Sequence, residues 1–135
     1  MFIDASAFIA ILTDEPDGSR LATILEGIPT PITSAIAVWE TVIRIISKHD
    51  YTEAEARDEL ALFMKQTNIG IVPIGEREAA LATGAFAVYG KRGHPAALNI
   101  GDCFAYACAK ANRVPLLYIG NDFSQTDVND GFTEI

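Results

Sequence analysis

Short apolar stretches alternate along this chain with longer segments in which apolar residues recur every three or four positions. The short stretches predict extended segments at FID 2–4, PTPIT 29–33, IGIVPI 69–74 and PLLYI 115–119. The longer segments predict helices at about 6–12, 19–25, 35–48, 53–67, 76–89 and 101–112. Short strands separated by helices favour an α/β fold with a mostly parallel sheet.

Several predicted helices begin at side chains that can accept a hydrogen bond from the first helical turn. Ser6 and Ser34 are expected to cap the first and third helices. Thr52 and Glu55 have the spacing of a capping box before the fourth. The glycine- and proline-containing segment GKRGHP at 90–95 is predicted to be a loop.

Length and composition predict one globular domain over residues 1–135, since half of the residues are hydrophobic and 21% are charged. No apolar run approaches the ~18 residues needed to span a bilayer, so we expect no membrane segment. The N-terminus has no basic region before its apolar residues, which argues against a signal peptide. These features predict a cytoplasmic protein, and Cys103 and Cys108 would be reduced thiols there.

The formal net charge of −8 argues against a nucleic-acid-binding protein, because phosphate groups are bound by Lys and Arg. The exception is a site in which clustered acids hold metal ions, because the ions reverse the local sign of the charge. The positions of the acidic residues therefore decide between these possibilities.

Two acidic residues follow predicted strands, and two lie on predicted helices. Asp4 and Asp122 come after the first and last strands, and ligand sites of parallel sheets lie beyond the carboxyl ends of the strands. Glu40 is at the edge of an apolar helical arc, and Asp102 opens an alanine-rich helix. Carboxylates that meet repel one another unless a cation intervenes, so a site built from these four would favour Mg²⁺ or Mn²⁺.

Each of these acids also has a purely structural explanation that the sequence leaves open. Asp4 could cap the following helix, and Glu40 could pair with Arg44 one turn later. Asp102 could interact with the helix dipole, and Asp122 could form an Asx turn.

Two other functions also remain open at this point. A phosphoryl-transfer or receiver-like domain would use Asp4 as the phosphate acceptor, although Ser6 stands where a haloacid dehalogenase has a second Asp. A catalytically silent interaction module would keep the acids only for folding.

Four segments, in order over nearly the whole chain, resemble the motifs of PIN-domain proteins. They are MFIDASAFIA, SAIAVWE, LNIGDCFAYACAK and LLYIGNDFSQTDV. More narrowly, they resemble VapC-type ribonuclease toxins of bacterial toxin–antitoxin pairs. The resemblance implies a PIN-like three-layer α/β/α fold with a short central parallel sheet, and a metal-dependent phosphodiesterase that acts on RNA.

The resemblance places Asp4, Glu40, Asp102 and Asp122 at the four acidic positions of the family. Asp4 and Asp102 would ligate a Mg²⁺ or Mn²⁺ ion, and Asp122 would complete or support that site. Glu40 would contact a metal through water or help to deprotonate the attacking water.

Other residues of these motifs would support the acids. Ser6 matches a hydroxyl that supports the first acid, and Asn121 and Thr126 match polar groups that orient the site. We interpret the neighbouring Asp127 as structural. The tail VNDGFTEI departs from the hydrophobic ending expected of the family, which leaves a fifth strand open.

The resemblance also implies a VapB-type antitoxin partner and a homodimer. The first two helices have extensive apolar faces, and part of these faces would form the groove for the antitoxin. The apolar residues are Phe8, Ile9, Leu12, Leu21, Ile24 and Leu25. Trp39 is interpreted as a core or interface anchor rather than as a platform for a nucleobase.

RNA contacts are predicted at two small groups of basic residues. Arg44 and Lys48 lie on the same predicted helix as Glu40, and Lys91 and Arg92 lie in the loop before LNIGDC. Ordinary solvated charges are an equally good interpretation of all four.

Overall fold

The computed structural model describes residues 1–90 and 94–128. In chain order its elements are β1 (Phe2–Ile3), α1 (Ala5–Leu12), α2 (Gly18–Glu26), β2 (Ile32–Thr33), α3 (Ala35–His49), α4 (Glu53–Gln66), β3 (Gly70–Ile71), α5 (Glu76–Tyr89), α6 (Ile100–Asn112) and β4 (Leu116–Leu117).

The four strands form a parallel sheet in the order β3-β2-β1-β4. The central strand β1 pairs through Phe2 with Ile32 of β2 on one side and with Leu116 of β4 on the other. Helices form every crossover, as parallel strands require. The predicted α/β fold is confirmed, and the carboxyl ends of β1, β2 and β4 meet at one edge.

Helices cover both faces of the sheet and form two hydrophobic cores. Phe2 and Leu116 point into the core that contains the buried residues of α5 and α6. Ile3 and Leu117 point into the other core, with residues of α1 to α4. This alternation along the strands is the period of two that a β-strand imposes, and it produces the predicted three layers.

The observed strands are shorter than the apolar runs that predicted them. Each strand is two residues long, whereas the predicted segments extend over three to six residues. Apolar character alone therefore overestimated the length of the paired segments. The possible fifth strand falls in the tail, of which residues 129–135 lie outside the described part.

The helix starts agree with the predictions except at α1. Ser34 caps α3, and Thr52 with Glu55 forms both bonds of the capping box at α4. At α1 the cap is Asp4 rather than Ser6, because the Asp4 side chain accepts a hydrogen bond from the Ser6 backbone N–H. The predicted cap at Ser6 is therefore wrong by two residues.

The apolar faces of α1 and α2 are largely buried in the core. Phe8 and Leu21 are fully buried and Leu25 is 2% exposed, while Ile9, Leu12 and Ile24 are half-buried. The three buried residues pack in the core with residues of α3 and α4, so a partner groove on part of these faces stays a prediction that concerns Ile9, Leu12 and Ile24. Within the described ranges, no helix has the length and apolar character needed to cross a bilayer.

The Thr33 hydroxyl ties β2 to β1 one residue before Asp4. Its Oγ1 donates a 2.8 Å hydrogen bond to the Ile3 carbonyl in a fully buried setting. Thr33→Val keeps the shape and removes this bond, so we expect a loss of about 1–2 kcal/mol of unfolding free energy. Urea unfolding measures it, and Thr83→Val, at an exposed position of α5, is the control. Equal stability of the Thr33→Val and wild-type proteins would contradict the assignment.

Candidate active site

A cavity of about 440 Å³ opens at the carboxyl edge of the sheet. Its lining includes all four acids singled out in the sequence, namely Asp4, Glu40, Asp102 and Asp122. They come from four places in the chain, which are the start of α1, the middle of α3, the first turn of α6 and the segment after β4. The structure therefore brings the predicted acids to one cavity.

Asp4 is the most buried of these acids, at 5% exposure. Its Oδ2 accepts hydrogen bonds from the Ser6 backbone N–H at 3.0 Å and from the Ser6 hydroxyl at 2.5 Å. Burial raises the pKa of Asp4, the bonds from Ser6 oppose that shift, and the negative charge of Asp122 adds to it. Ser6 thus binds the carboxylate of Asp4 through two hydrogen bonds.

The Ser6 hydroxyl also connects two distant parts of the chain. Besides donating to Asp4, its Oγ accepts a 3.1 Å hydrogen bond from the Ile119 backbone N–H, 113 residues away. Ile119 follows β4, and Asp122 comes three residues later. One hydroxyl therefore fixes the first acid relative to the segment that carries the last one.

Glu40 extends from α3 to the first turn of α6. A Cβ built on Gly101 would overlap the Glu40 carboxylate, so the side chain occupies the space that this glycine leaves. Burial, followed by the negative charges of Asp4 and Asp102, raises the pKa of Glu40 to about 7. Sequence analysis did not single out Gly101, although a glycine in a helical first turn before an acid was a visible signal.

Asp102 is the third residue of α6 and takes part in a capping box with Asn99. The Asn99 backbone N–H donates to Asp102 Oδ2 at 3.0 Å, and the Asp102 backbone N–H donates to Asn99 Oδ1 at 2.9 Å. Asp102 thus has a structural role in this capping box, which the sequence analysis did not predict, since it considered only the helix dipole. The same carboxylate also lines the cavity and influences Glu40, so capping and a site role coexist.

The last motif places one acid in the cavity and uses its other polar groups locally. Asp122 is exposed and lines the cavity. The Asn121 carbonyl accepts a bond from Ser124, and the Thr126 hydroxyl donates to the Phe123 carbonyl at 2.8 Å. Asn121 and Thr126 therefore shape the turn that carries Asp122, and neither is among the residues that line the cavity.

Asp127 is bonded to α6, away from the acids. Its carboxylate accepts from the Tyr106 hydroxyl at 2.5 Å and from Lys110 Nζ at 3.0 Å. These two bonds hold the end of the last motif against the helix. They agree with the interpretation of Asp127 as structural.

The basic residues predicted to contact RNA have different surroundings. Arg44 lines the cavity, and the ion pairs among the described residues do not include one between Arg44 and Glu40. Lys48 instead pairs with Glu15 at 3.1 Å. Lys91 and Arg92 lie outside the described residues.

The donor set suits a hard divalent cation, but the side chains are not yet arranged around one. Over residues 1–90 and 94–128, no group of three His, Cys, Asp or Glu side chains is already positioned to hold a metal ion. Asp4 and Asp102 instead accept local hydrogen bonds, from Ser6 and from the Asn99 backbone N–H respectively. Burial is the main cause of the raised pKa of Glu40, and the like charges of Asp4 and Asp102, which a cation would offset, add to it.

Fold and site together define a three-layer α/β protein with a carboxylate-lined cavity at the carboxyl edge of its parallel sheet. The family model described as the PIN domain matches residues 1–129. Ribonuclease VapC28 of Mycobacterium tuberculosis is 42% identical over 129 residues, covering 95% of each chain. Ribonuclease VapC of Mycolicibacterium smegmatis is 41% identical over 128 residues, covering 95% of this chain and 97% of the relative.

This chain belongs to the PIN domain family and, within it, to the VapC ribonucleases. The resemblance indicated by the four motifs is confirmed, and with it the class of enzyme. A solved structure supports the fold: VapC20 of Mycobacterium tuberculosis, a toxin that cleaves the sarcin–ricin loop, superposes with a TM-score of 0.76 at 15% identity. That match covers 94% of this chain and 95% of VapC20.

The raised pKa of Glu40 predicts a pH-dependent stability of the metal-free protein. Between about pH 4.5 and 7 the folded state binds the proton more tightly than the unfolded chain, so stability falls as the pH rises through this window. In EDTA, Glu40→Gln should therefore be more stable than wild type by about 1–2 kcal/mol at pH 8.

Urea unfolding of both proteins at pH 8 and pH 5 measures this difference, which should shrink at the lower pH. Glu26→Gln, at an exposed position of α2, is the control for a carboxylate outside the cavity. An advantage of Glu40→Gln that is the same at both pH values would contradict the electrostatic cause.

Proposed function

We propose that this protein is a Mg²⁺- or Mn²⁺-dependent endoribonuclease toxin that hydrolyses phosphodiester bonds of RNA. The observation that carries the proposal is the convergence of four carboxylates from separate elements on one cavity. The family membership supports the choice of RNA, because the relatives are named ribonucleases.

Asp4 and Asp102 would hold the metal ion, and Asp122 would complete or support the site. A divalent ion supplies two things there, a more acidic bound water and compensation for the charge that builds on the phosphate. The chain supplies oxygen ligands and fixes two of them in advance. Ser6 holds Asp4, and Asn99 holds Asp102 until the ion competes for its oxygens.

Glu40 is the candidate to accept the proton of the attacking water. The pKa of about 7 applies to Glu40 without a cation, and a bound cation would lower it, so the case for Glu40 as the proton acceptor is its position in the cavity beside Asp4 and Asp102. In the reaction a bond forms between the water oxygen and phosphorus, and the bond from phosphorus to the leaving sugar oxygen breaks. The proton of the water passes to Glu40, and the leaving oxygen is protonated from solvent.

The environment of Asp4 favours this function over a phosphate acceptor. Asp4 is 5% exposed and its Oδ2 already accepts two hydrogen bonds from Ser6. A phosphorylated Asp4 would need that space and would add negative charge beside Glu40 and Asp122.

The proposal extends to the partners and the compartment of the protein. A VapB-type antitoxin would inhibit the enzyme, and the toxin would act on cytoplasmic RNA as a homodimer of single domains spanning residues 1–135. The named relatives support this assignment, since they are VapC proteins of similar length.

The decisive experiment compares RNA cleavage by the wild type with cleavage by Asp4→Asn and Asp102→Asn in Mg²⁺ and in EDTA. Either substitution should lower the cleavage rate by about 100-fold or more, because it removes a charged metal ligand. Asp58→Asn, an exposed position on α4, should cleave like the wild type. Full cleavage by Asp4→Asn, or by the wild type in EDTA, would refute the mechanism. If the wild type cleaved no RNA in Mg²⁺, the proposed enzyme would be rejected in favour of a catalytically silent interaction module.

The contact between Glu40 and Gly101 predicts that a single methyl group disturbs the site. Gly101→Ala places a Cβ where the Glu40 carboxylate lies, so Glu40 must move, and we expect kcat to fall by about tenfold or more. Gly84→Ala is the matched control, because a Cβ there meets nothing within 4 Å. Steady-state kinetics of both variants measure the effect, and equal kcat values would argue against a role for Glu40.

A further inference from the structure

The side chain of Trp39 is 64% exposed, although tryptophan is usually well buried. This is the only tryptophan of the chain. Its exposure shows that the expected role as a core anchor is wrong, whereas the expected role as an interface anchor stays a prediction. Trp39 precedes Glu40 on α3 and lines the same cavity as the four acids. An exposed indole beside the candidate active site is available for a ligand to stack on its ring.

The face of α3 that lines this cavity combines an aromatic ring, an exposed apolar side chain and a cation. Trp39 and Ile43 are one helical turn apart, and Ile43 is 46% exposed. Glu40 and Arg44 form the adjacent row, so Arg44 lies one turn beyond the acid on the same helix. One helix therefore presents an acid, a ring and a guanidinium to the same space.

Arg44 is suited to bind a phosphate. It is exposed, it lines the cavity, and it forms no ion pair with Glu40 in the described part of the chain. A guanidinium presents paired N–H donors that match two phosphate oxygens. Lys48, one turn further along α3, is paired with Glu15 instead.

We infer that Trp39 and Arg44 form a nucleotide subsite next to the acids, which binds an unpaired nucleotide of the RNA substrate. Trp39 stacks on the base, and Arg44 binds a neighbouring phosphate. The inference rests on the proposed function for the identity of the polymer. It adds that the RNA must be single-stranded at this position, because a base can stack on a protein ring only when it has left its duplex.

The composition of the cavity favours RNA over a protein segment as the occupant. The cavity does contain the apolar side chains of Ile9, Ile43 and Ile119, but Trp39 also shares it with four carboxylates and Arg44, which an apolar protein segment would leave unmatched. A nucleotide has both the flat ring and the anionic phosphate that this mixture matches. A metal ion held by the acids would further reduce their repulsion of the phosphate.

Because Trp39 is the only tryptophan, its fluorescence reports the subsite directly. The experiment titrates Asp4→Asn, which keeps a capping side chain, with a single-stranded RNA octamer in Mg²⁺. We expect saturable quenching by the octamer and little quenching by the same sequence in a duplex. No quenching by the single strand, or equal quenching by the duplex, would overturn the proposal.

Substitutions distinguish the loss of base stacking from a general disturbance of the fold. In the Asp4→Asn background, Trp39→Ala should weaken binding of a labelled octamer, measured by anisotropy, by roughly 5- to 150-fold. Trp39→Phe should retain most of the affinity. Arg44→Gln should weaken binding and reduce its dependence on salt, whereas Arg57→Gln, an exposed arginine on α4, should do neither. Equal affinity of Trp39→Ala and the parent would overturn the inference.

The outcomes also distinguish this inference from the proposed function. Quenching without any cleavage by the wild type would keep the subsite and reject the ribonuclease. If the wild type cleaves RNA and Trp39→Ala cleaves it with the same KM, the proposed ribonuclease function would stand and the proposed subsite would be rejected. A change in Trp39 emission with protein concentration, and none with the octamer, would assign the ring to a contact between copies of the chain.

Discussion

Mutual repulsion of carboxylates in a partly dry cavity is the constraint on which this structure depends. Four acidic side chains line one space, and burial makes their charges more costly there than in water. The chain meets this cost with local hydrogen bonds at Asp4 and Asp102 and by leaving Glu40 with a raised pKa. A cation bound among these carboxylates, as proposed above, would offset their like charges.

The parallel sheet enforces this convergence over the length of the chain. β1 and β4 are neighbours in the sheet although more than 100 residues separate them, and the Ser6 hydroxyl joins their carboxyl ends. The strands need only two residues each, since alternate side chains anchor them in cores on both faces. Helices α3 and α6 complete the cavity, and Gly101 lets them approach closely enough for Glu40 to lie against α6.

An acidic ribonuclease must still bind RNA, which is a polyanion. The proposed subsite on α3 explains how it could, because it combines a cation with an aromatic ring. The net charge of −8 is a property of the whole chain, whereas Arg44 and Trp39 act within the few ångströms that decide binding at the cavity. Stacking on an indole does not depend on the sign of the charge nearby, so it can hold a nucleotide where long-range electrostatics oppose it. RNA without an unpaired base cannot stack on Trp39, so the repulsion between its phosphates and the acidic protein would disfavour its binding.

The sequence by itself predicted the elements, and its resemblance to PIN-domain motifs predicted the three layers and singled out the four acids. These follow from periodicity, from caps such as Thr52 and Glu55, and from motifs of a few adjacent residues. Only the tertiary structure decided that Asp4 rather than Ser6 caps α1, that Trp39 is exposed while Phe8 is buried, and that Gly101 makes room for Glu40. The reason is physical: capping and periodicity are local along the chain, whereas exposure and close approach depend on which distant segments share the same space.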